Sequence, residues 1–338
     1  MAVLVLAAAV LWLCCAGRDA QAQAPATQLQ LGFYAQSCPQ AEVIVRDEVG
    51  RAVSGDPGLA AGLLRLHFHD CFVKGCDASV LLDTIAGNGS TAAEKDAAPN
   101  RTLRGFEVID GAKKRLESAC AGTVSCADIL AFAARDSVVL TGGSPYGVPA
   151  GRRDGNESSA SDAQASLPPP TANVAQLTQI FARNGLSQED MVTLSGAHTI
   201  GVTHCSSFSA RLYSGDNNNS DNTGHDPAMD DATATELARR CPPGSADTVP
   251  MDLGGGGGPV DENAFDTGYF QALLAHRGLL GSDQALTADN ATAALVAQNA
   301  GNLYLFVTRF ADAMVRMGAV RVLTGSDGQI RTSCRVVN

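Results

Sequence analysis

The sequence predicts an α-rich globular domain, and three observations predict it. Apolar residues recur at i, i+3, i+4 spacing through most of the chain. Few segments alternate strictly between apolar and polar residues, so little sheet is expected. Breaker-rich turns separate the periodic runs. The composition fits a folded chain: of 338 residues, 45% are hydrophobic and 17% are charged. That length suits one large domain or two small ones. Lys plus Arg number 24 against 35 for Asp plus Glu, a net charge of −11. An acidic chain lacks the basic footprint of a nucleic-acid binder, and charge does not draw it to an anionic membrane. A secreted enzyme, a ligand binder and an extracellular structural protein remain.

Residues 2–16 are apolar, and Ala20-Gln21-Ala22 follows as an A-x-A cleavage pattern. Residues 1–22 therefore read as a secretory signal peptide, although the n-region has no Lys or Arg. The apolar run is shorter than the roughly 20 residues a spanning helix needs. Residues 23–338 read as a single domain with room for two lobes. Its helices are expected over 41–53, 59–70, 106–119, 127–140, 174–184, 234–240, 267–276 and 303–317, each on its apolar period. Thr287, before the Ala-rich run 291–299, marks a further helix start. Gly142-Gly143-Ser144-Pro145, the triple proline 168–170, residues 216–224 and the glycines 254–258 break the chain between them. No internal repeat and no inter-domain linker is visible.

Ten cysteines become eight when Cys14 and Cys15 leave with the signal. An even number in a secretory context implies four disulfides, among 105 possible connectivities. Only Cys71 and Cys76, around Gly75, suggest a local pair. Five sequons, at Asn88, Asn100, Asn156, Asn218 and Asn290, agree with secretion.

Four constellations carry chemistry. Arg65 and His69 lie four apart at the end of an apolar helix, so they share one face. They could hold a base and a fixed cation over one small substrate, or form a surface salt-bridge row. His67 points elsewhere and reads as structural. Asp70, Asp77 and Ser79 follow in one short loop around Gly75. These hard oxygen ligands suit Ca²⁺, although a polar, disulfide-closed turn would use the same residues. His198 stands among small residues that would let something flat approach. It is a core histidine unless Arg65 and His69 join it, in which case an axial haem ligand becomes reasonable. No C-x-x-C-H occurs, so covalent haem attachment is excluded. Asp283 could accept the N–H of a ligand imidazole, or cap a helix.

These residues lie within longer motifs. RLHFHDCFVKGCDASVLL (65–82), EKDAAPN (94–100), RGFEVID (104–110), VSCADILAFAARDSV (124–138), GRRDG (151–155), LSGAHTIG (194–201), GLLGSDQ (278–284) and CRVVN (334–338) resemble the secretory plant peroxidases, class III of the horseradish type. The resemblance runs from about residue 31 to the C-terminus. It implies the all-α haem-peroxidase fold, two helical lobes sandwiching a haem, with minor β content. It also implies a donor:hydrogen-peroxide oxidoreductase carrying haem b and two Ca²⁺ ions.

By that resemblance His198 is the axial iron ligand, Asp283 its hydrogen-bond partner, and Phe68 a haem contact. His69 is the distal acid and base, Arg65 the distal cation, and Asn100 the partner that keeps His69 neutral. The Asn100 sequon is then not expected to carry a glycan. Asp70, Val73, Gly75, Asp77 and Ser79 form a distal Ca²⁺ site that Glu94 reaches through water. The disulfides are Cys38–Cys120, Cys71–Cys76, Cys126–Cys334 and Cys205–Cys241. Pro168 borders the entrance for aromatic donors. H₂O₂ gives a proton to His69, which returns it to the leaving oxygen while Arg65 stabilises the developing charge. The haem carries the redox chemistry, and phenolic donors supply single electrons.

The chain departs from the family pattern in places. Thr199, Asp252 and Asp266 fit a proximal Ca²⁺ site, but no Thr precedes Pro259, so one ligand is missing or replaced by backbone. Met251 stands where some members place an aromatic, and Gly62 where a Ser often meets a haem propionate. Trp12 leaves with the signal, which excludes a Trp radical of the cytochrome c peroxidase kind. A non-catalytic relative would have lost His69, Arg65 or His198, and a haem-based carrier would not need the Arg65–His69 pair. The chain ends at Asn338 without a long extension, which favours the extracellular space and cell wall. Monomer is the family default, and the roles in wall coupling, peroxide removal and oxidative stress stay open.

Overall fold

In the computed structural model the described residues are 29–85, 92–213, 224–254 and 261–338. The expected signal peptide, Asn88, Asn218 and most of the polyglycine run lie outside them. The helices are α1 (Ala41–Gly55), α2 (Leu59–Val73), α3 (Phe106–Ala119), α4 (Cys126–Leu140), α5 (Ala160–Ser166), α6 (Val174–Arg183), α7 (Gln188–Ser195), α8 (Ser209–Leu212), α9 (Asp231–Arg240), α10 (Gly268–Leu274), α11 (Gly281–Gln284), α12 (Asn290–Gly301) and α13 (Leu303–Met317); the periodic runs account for all but α5, α7, α8 and α11. Among the described residues the only sheet pairs β1 (Val202–His204) with β2 (Thr248–Pro250), antiparallel, with Thr203 opposite Val249.

Caps explain most of the starts. The Ser125 hydroxyl accepts the Asp128 N–H to open α4. Capping boxes open α6 at Asn173/Gln176 and α7 at Ser187/Asp190. Helices α5 and α7, of seven and eight residues, are too short for their periodicity to stand out, and the sequence reading did not anticipate them. Thr287 does not start α12: its hydroxyl donates to the Gln284 carbonyl, and Asp289 is the cap.

Helix α2 serves two cores. Leu63 and Leu66 pack with Val45, Ile109, Ile129 and Phe132 of α1, α3 and α4. Leu64 and Phe72 face Met191, Val296 and Phe306 of α7, α12 and α13. With two sides buried in this way, the remaining side, carrying Arg65, Phe68 and His69, is left for the site. Four disulfides join Cys38 to Cys120, Cys71 to Cys76, Cys126 to Cys334 and Cys205 to Cys241. The GRRDG segment is a structural tie: Arg152 forms a buried ion pair with Asp128 at 2.7 Å, and Asp154 accepts the N–H groups of Ala127 and Arg331.

His67 is buried within 3.7 Å of the Cys71 sulfur. Burial, helped by the Arg152 charge, lowers its pKa to about 3. The unfolded chain binds this proton near pH 6.5, the folded one does not. Stability from this group is therefore lost as pH falls from about 6.5 toward 3, at about 1.4 kcal/mol per pH unit. His67→Leu is expected to lose about 2–3 kcal/mol less than the wild type between pH 6.5 and 4.5, measured by urea unfolding. Equal losses in the two proteins would contradict a neutral buried imidazole.

Candidate active site

On one side of the site, the Arg65 Nε–H donates to His69 Nε2 at 3.2 Å. The other two guanidinium nitrogens donate to the Thr102 hydroxyl at 2.9 Å and the Pro99 carbonyl at 2.8 Å. All three nitrogens are thus anchored. Asn100 sits on a turn started by Ala98-Pro99. Its Nδ2 donates to the Glu94 carbonyl at 2.8 Å, so its Oδ1 faces His69 and accepts from Nδ1 at 2.6 Å. The network assigns the proton to Nδ1 and leaves the Nε2 lone pair toward Arg65. Burial and the Arg65 charge bring the His69 pKa down to about 3, against the opposing pull of Asn100. His69 is therefore a neutral base at ordinary pH. Asn100 is 2% exposed, which leaves no room for a glycan.

On the other side, His198 lies on the turn Gly196–Thr199 that continues α7. Its Nδ1–H donates to Asp283 Oδ1 at 2.9 Å. Asp283 lies inside α11 and caps nothing; its helix is tied down by Ser282 N–H to the Pro170 carbonyl and Gln284 Nε2 to the Leu273 carbonyl. A residue the sequence did not single out joins here: the Tyr269 hydroxyl donates to the same Asp283 oxygen at 3.0 Å. Its ring stands edge-on to His198 with centroids 5.8 Å apart. Tyr269 lies in the run 267–276, read from the sequence only as a helix. Burial and Asp283 hold its pKa well above 10, so it is a hydrogen-bond donor.

The His198 side chain is 39% accessible although protein surrounds it. Burial disfavours its charge, but Asp283 beside it prevails and raises the pKa, while Arg65 is near enough for its charge to oppose. Phe68 is half-buried on the same helix side as His69, ring centroids 5.4 Å apart. The small residues near His198 serve a different purpose from the expected one. A Cβ on Gly196 would lie 2.5 Å from Phe306, and one on Gly201 (φ +89°) 2.6 Å from Ala61 of α2. These glycines let the His198 segment pack closely on protein. A Cβ on Gly62 would lie 3.1 Å from Arg104 Cβ, a tight fit that needs Arg104 to give by a few tenths of an ångström. Met251 donates its N–H to the Gly201 carbonyl. Pro168 is half-buried just after α5, which packs on α2 and on the Asn100 turn.

Below His69 lies a cluster of acceptors. Asp70 accepts the Ala78 N–H at 3.0 Å, and Asp77 the Ser79 N–H at 3.0 Å. Both Glu94 carboxylate oxygens and the Ser79 hydroxyl are buried without a hydrogen-bond partner. Burial raises Glu94 to about 8, with the Asp77 charge adding; burial and Asp77 raise Asp70 as well. Gly75 (φ +118°) aims this loop, and a Cβ there would strike the Arg321 carbonyl. Val73, the last residue of α2, gives its carbonyl to Arg321 at 3.0 Å. The second set also converges: the Thr199 hydroxyl donates to Asp266 at 3.0 Å and lies 3.5 Å from Asp252. Burial and the Asp266 charge raise Asp252 to about 6.

An imidazole backed by a carboxylate, near a neutral imidazole clamped to an arginine, offers the groups that haem-based peroxide chemistry calls for. The sequence comparisons agree. The model of the family described as Peroxidase matches residues 45–302. The chain is 56% identical to Peroxidase 5 of Vitis vinifera over 92% of each chain. It is 49% identical to Peroxidase 3 of Arabidopsis thaliana, again over 92% of each, and 46% identical to Peroxidase 39 of Arabidopsis thaliana over 92% and 93%. The chain belongs to the peroxidase family, within its plant class III branch. It is a haem peroxidase that uses H₂O₂.

Proposed function

We propose that the chain is a secreted peroxidase oxidising small phenolic donors, with His198 as the iron ligand and His69, Arg65 and Asn100 as the peroxide-cleaving group. The observation that carries this is the pair of hydrogen-bonded sets, Asp283–His198 and Asn100–His69–Arg65, close enough for the Arg65 charge to act on His198. His198 would hold a haem there, lined by Phe68, and that group would supply the redox chemistry of O–O cleavage and donor oxidation. His69 Nε2 removes the proton from the inner oxygen of H₂O₂ and returns it to the outer one, which departs as water. Arg65 stabilises the negative charge that gathers on that outer oxygen. Asp283 accepts the His198 N–H and so strengthens Nε2 as a ligand. Donors reach the site past Pro168.

A visible spectrum before and after one equivalent of H₂O₂ tests this. The Soret band is expected to lose intensity at once and recover on adding a phenol. A Soret band indifferent to peroxide would overturn the assignment. Secretion is supported by eight paired cysteines and by the exposed sequons at Asn156 and Asn290. No described helix is long and apolar enough to cross a membrane. We take the working form to be a monomer.

The distal cation is Ca²⁺, held by Asp70, Asp77 and Ser79 with the Val73 and Gly75 carbonyls, and reached by Glu94. The support is a set of buried oxygens lacking donors, which a hard cation satisfies. Thr199, Asp252 and Asp266 hold a second ion. Chelating Ca²⁺ is expected to lower the thermal midpoint by about 5–10 °C, since a ligand at a hundred times its Kd stabilises by about 2.7 kcal/mol. Calorimetry with and without EGTA measures it. An unchanged midpoint would remove calcium from the structure. Peroxide cleavage is expected to slow too, because the Glu94 backbone anchors Asn100 and through it His69.

A further inference from the structure

Asp283 carries its contacts unevenly. Oδ1 accepts both the His198 Nδ1–H at 2.9 Å and the Tyr269 O–H at 3.0 Å. Oδ2 is buried and has no hydrogen-bond partner. The carboxylate is itself almost wholly buried, so no solvent competes for its charge. Two donors on one oxygen share its electron density. Each hydrogen bond to a charged acceptor draws charge toward itself and weakens the other. The more the phenol takes, the less reaches the imidazole, and the weaker the donation from His198 Nε2 to whatever it binds.

We propose that Tyr269 is a positioning residue that tempers the Asp283–His198 couple and so sets how strongly His198 donates to the haem iron. It touches neither the iron nor the donor; its effect passes through Asp283. The alternative is that the phenol only fills space between α10 and α11. This inference rests on His198 being the iron ligand.

The test is resonance Raman of the ferrous haem protein, reading the iron–histidine stretch, together with the ferric/ferrous midpoint potential. Tyr269→Phe keeps the ring and removes the competing donor. The stretch is expected to move to higher wavenumber and the potential to fall. Replacing Tyr269 by 3-fluorotyrosine strengthens the donor while closely preserving shape. The stretch is then expected to move lower and the potential to rise. A space-filling role predicts no such reversal. Both readouts unmoved in the two variants, or moved in the same direction, would overturn the proposal. Asp283→Asn serves as the control and is expected to lower the stretch strongly. A wild-type protein without an iron–histidine band, or one whose band ignores Asp283→Asn, would overturn the ligand assignment and this inference with it.

Discussion

His69→Ala is expected to slow the reaction with H₂O₂ by about 10²–10⁴-fold, the usual worth of a positioned general acid–base. The Soret band should persist, because His69 makes no contact with the His198–Asp283 pair. The size follows from the site. His69 Nε2 is an unprotonated acceptor, held by Asn100 at Nδ1 and faced by Arg65. Its pKa of about 3 keeps it neutral across the ordinary range. The wild-type rate should therefore be flat with pH and fall only as pH drops toward 3, where the base takes a proton. The variant has no base to protonate. Its residual rate should instead rise with pH, since the peroxide anion needs none. Stopped-flow measurement of the Soret change from pH 4 to 9 separates the two profiles. A variant with an unchanged rate would refute the acid–base role of His69.

Arg65→Leu is expected to cost about 10²–10³ in the same rate, the range for removing one preorganised charge-stabilising donor. The guanidinium is preorganised here because its three nitrogens are anchored to His69, Thr102 and Pro99. A second effect distinguishes it from a packing residue. The Arg65 charge is one of the causes that lower the His69 pKa. Removing it lets that pKa rise, so the acid limb of the rate profile should move to higher pH. Arg65→Lys keeps a charge but cannot make the same three-point clamp, and should restore the limb's position better than the rate. A Leu variant with wild-type rate and an unmoved limb would leave Arg65 outside the chemistry. The double variant should lose less than the product of the two singles, because the residues act as one unit.

Much of this site is legible in the sequence, for physical reasons. Arg65 and His69 sit at i, i+4 on a long apolar helix, and helix geometry alone places them on one face. The Asp70–Ser79 loop shows its oxygens because they are contiguous. Long helices such as α13 are legible because the apolar period repeats several times. Short ones are not: α5 and α7, of seven and eight residues, span too few turns to show a period. Thr287 shows how two cap signals two residues apart can mislead, since the nearer Asp289 wins. Tyr269 was hidden because nothing near it in the chain marks its partner. A phenol aimed at a carboxylate fourteen residues away in the chain leaves no local pattern.

The sequence by itself determined the helical class, the secretory cysteine economy and, through its long motifs, the family. Those properties are set by local spacing or by a run of adjacent residues, and they survive without coordinates. Only the tertiary structure decided which oxygen of Asp283 is shared, which side of Asn100 meets His69, and that Gly196 and Gly201 serve packing. It also decided that Glu94 and Ser79 are buried without donors. Each of these depends on groups brought together from distant parts of the chain, where direction and burial set the chemistry and spacing along the sequence carries no information about either.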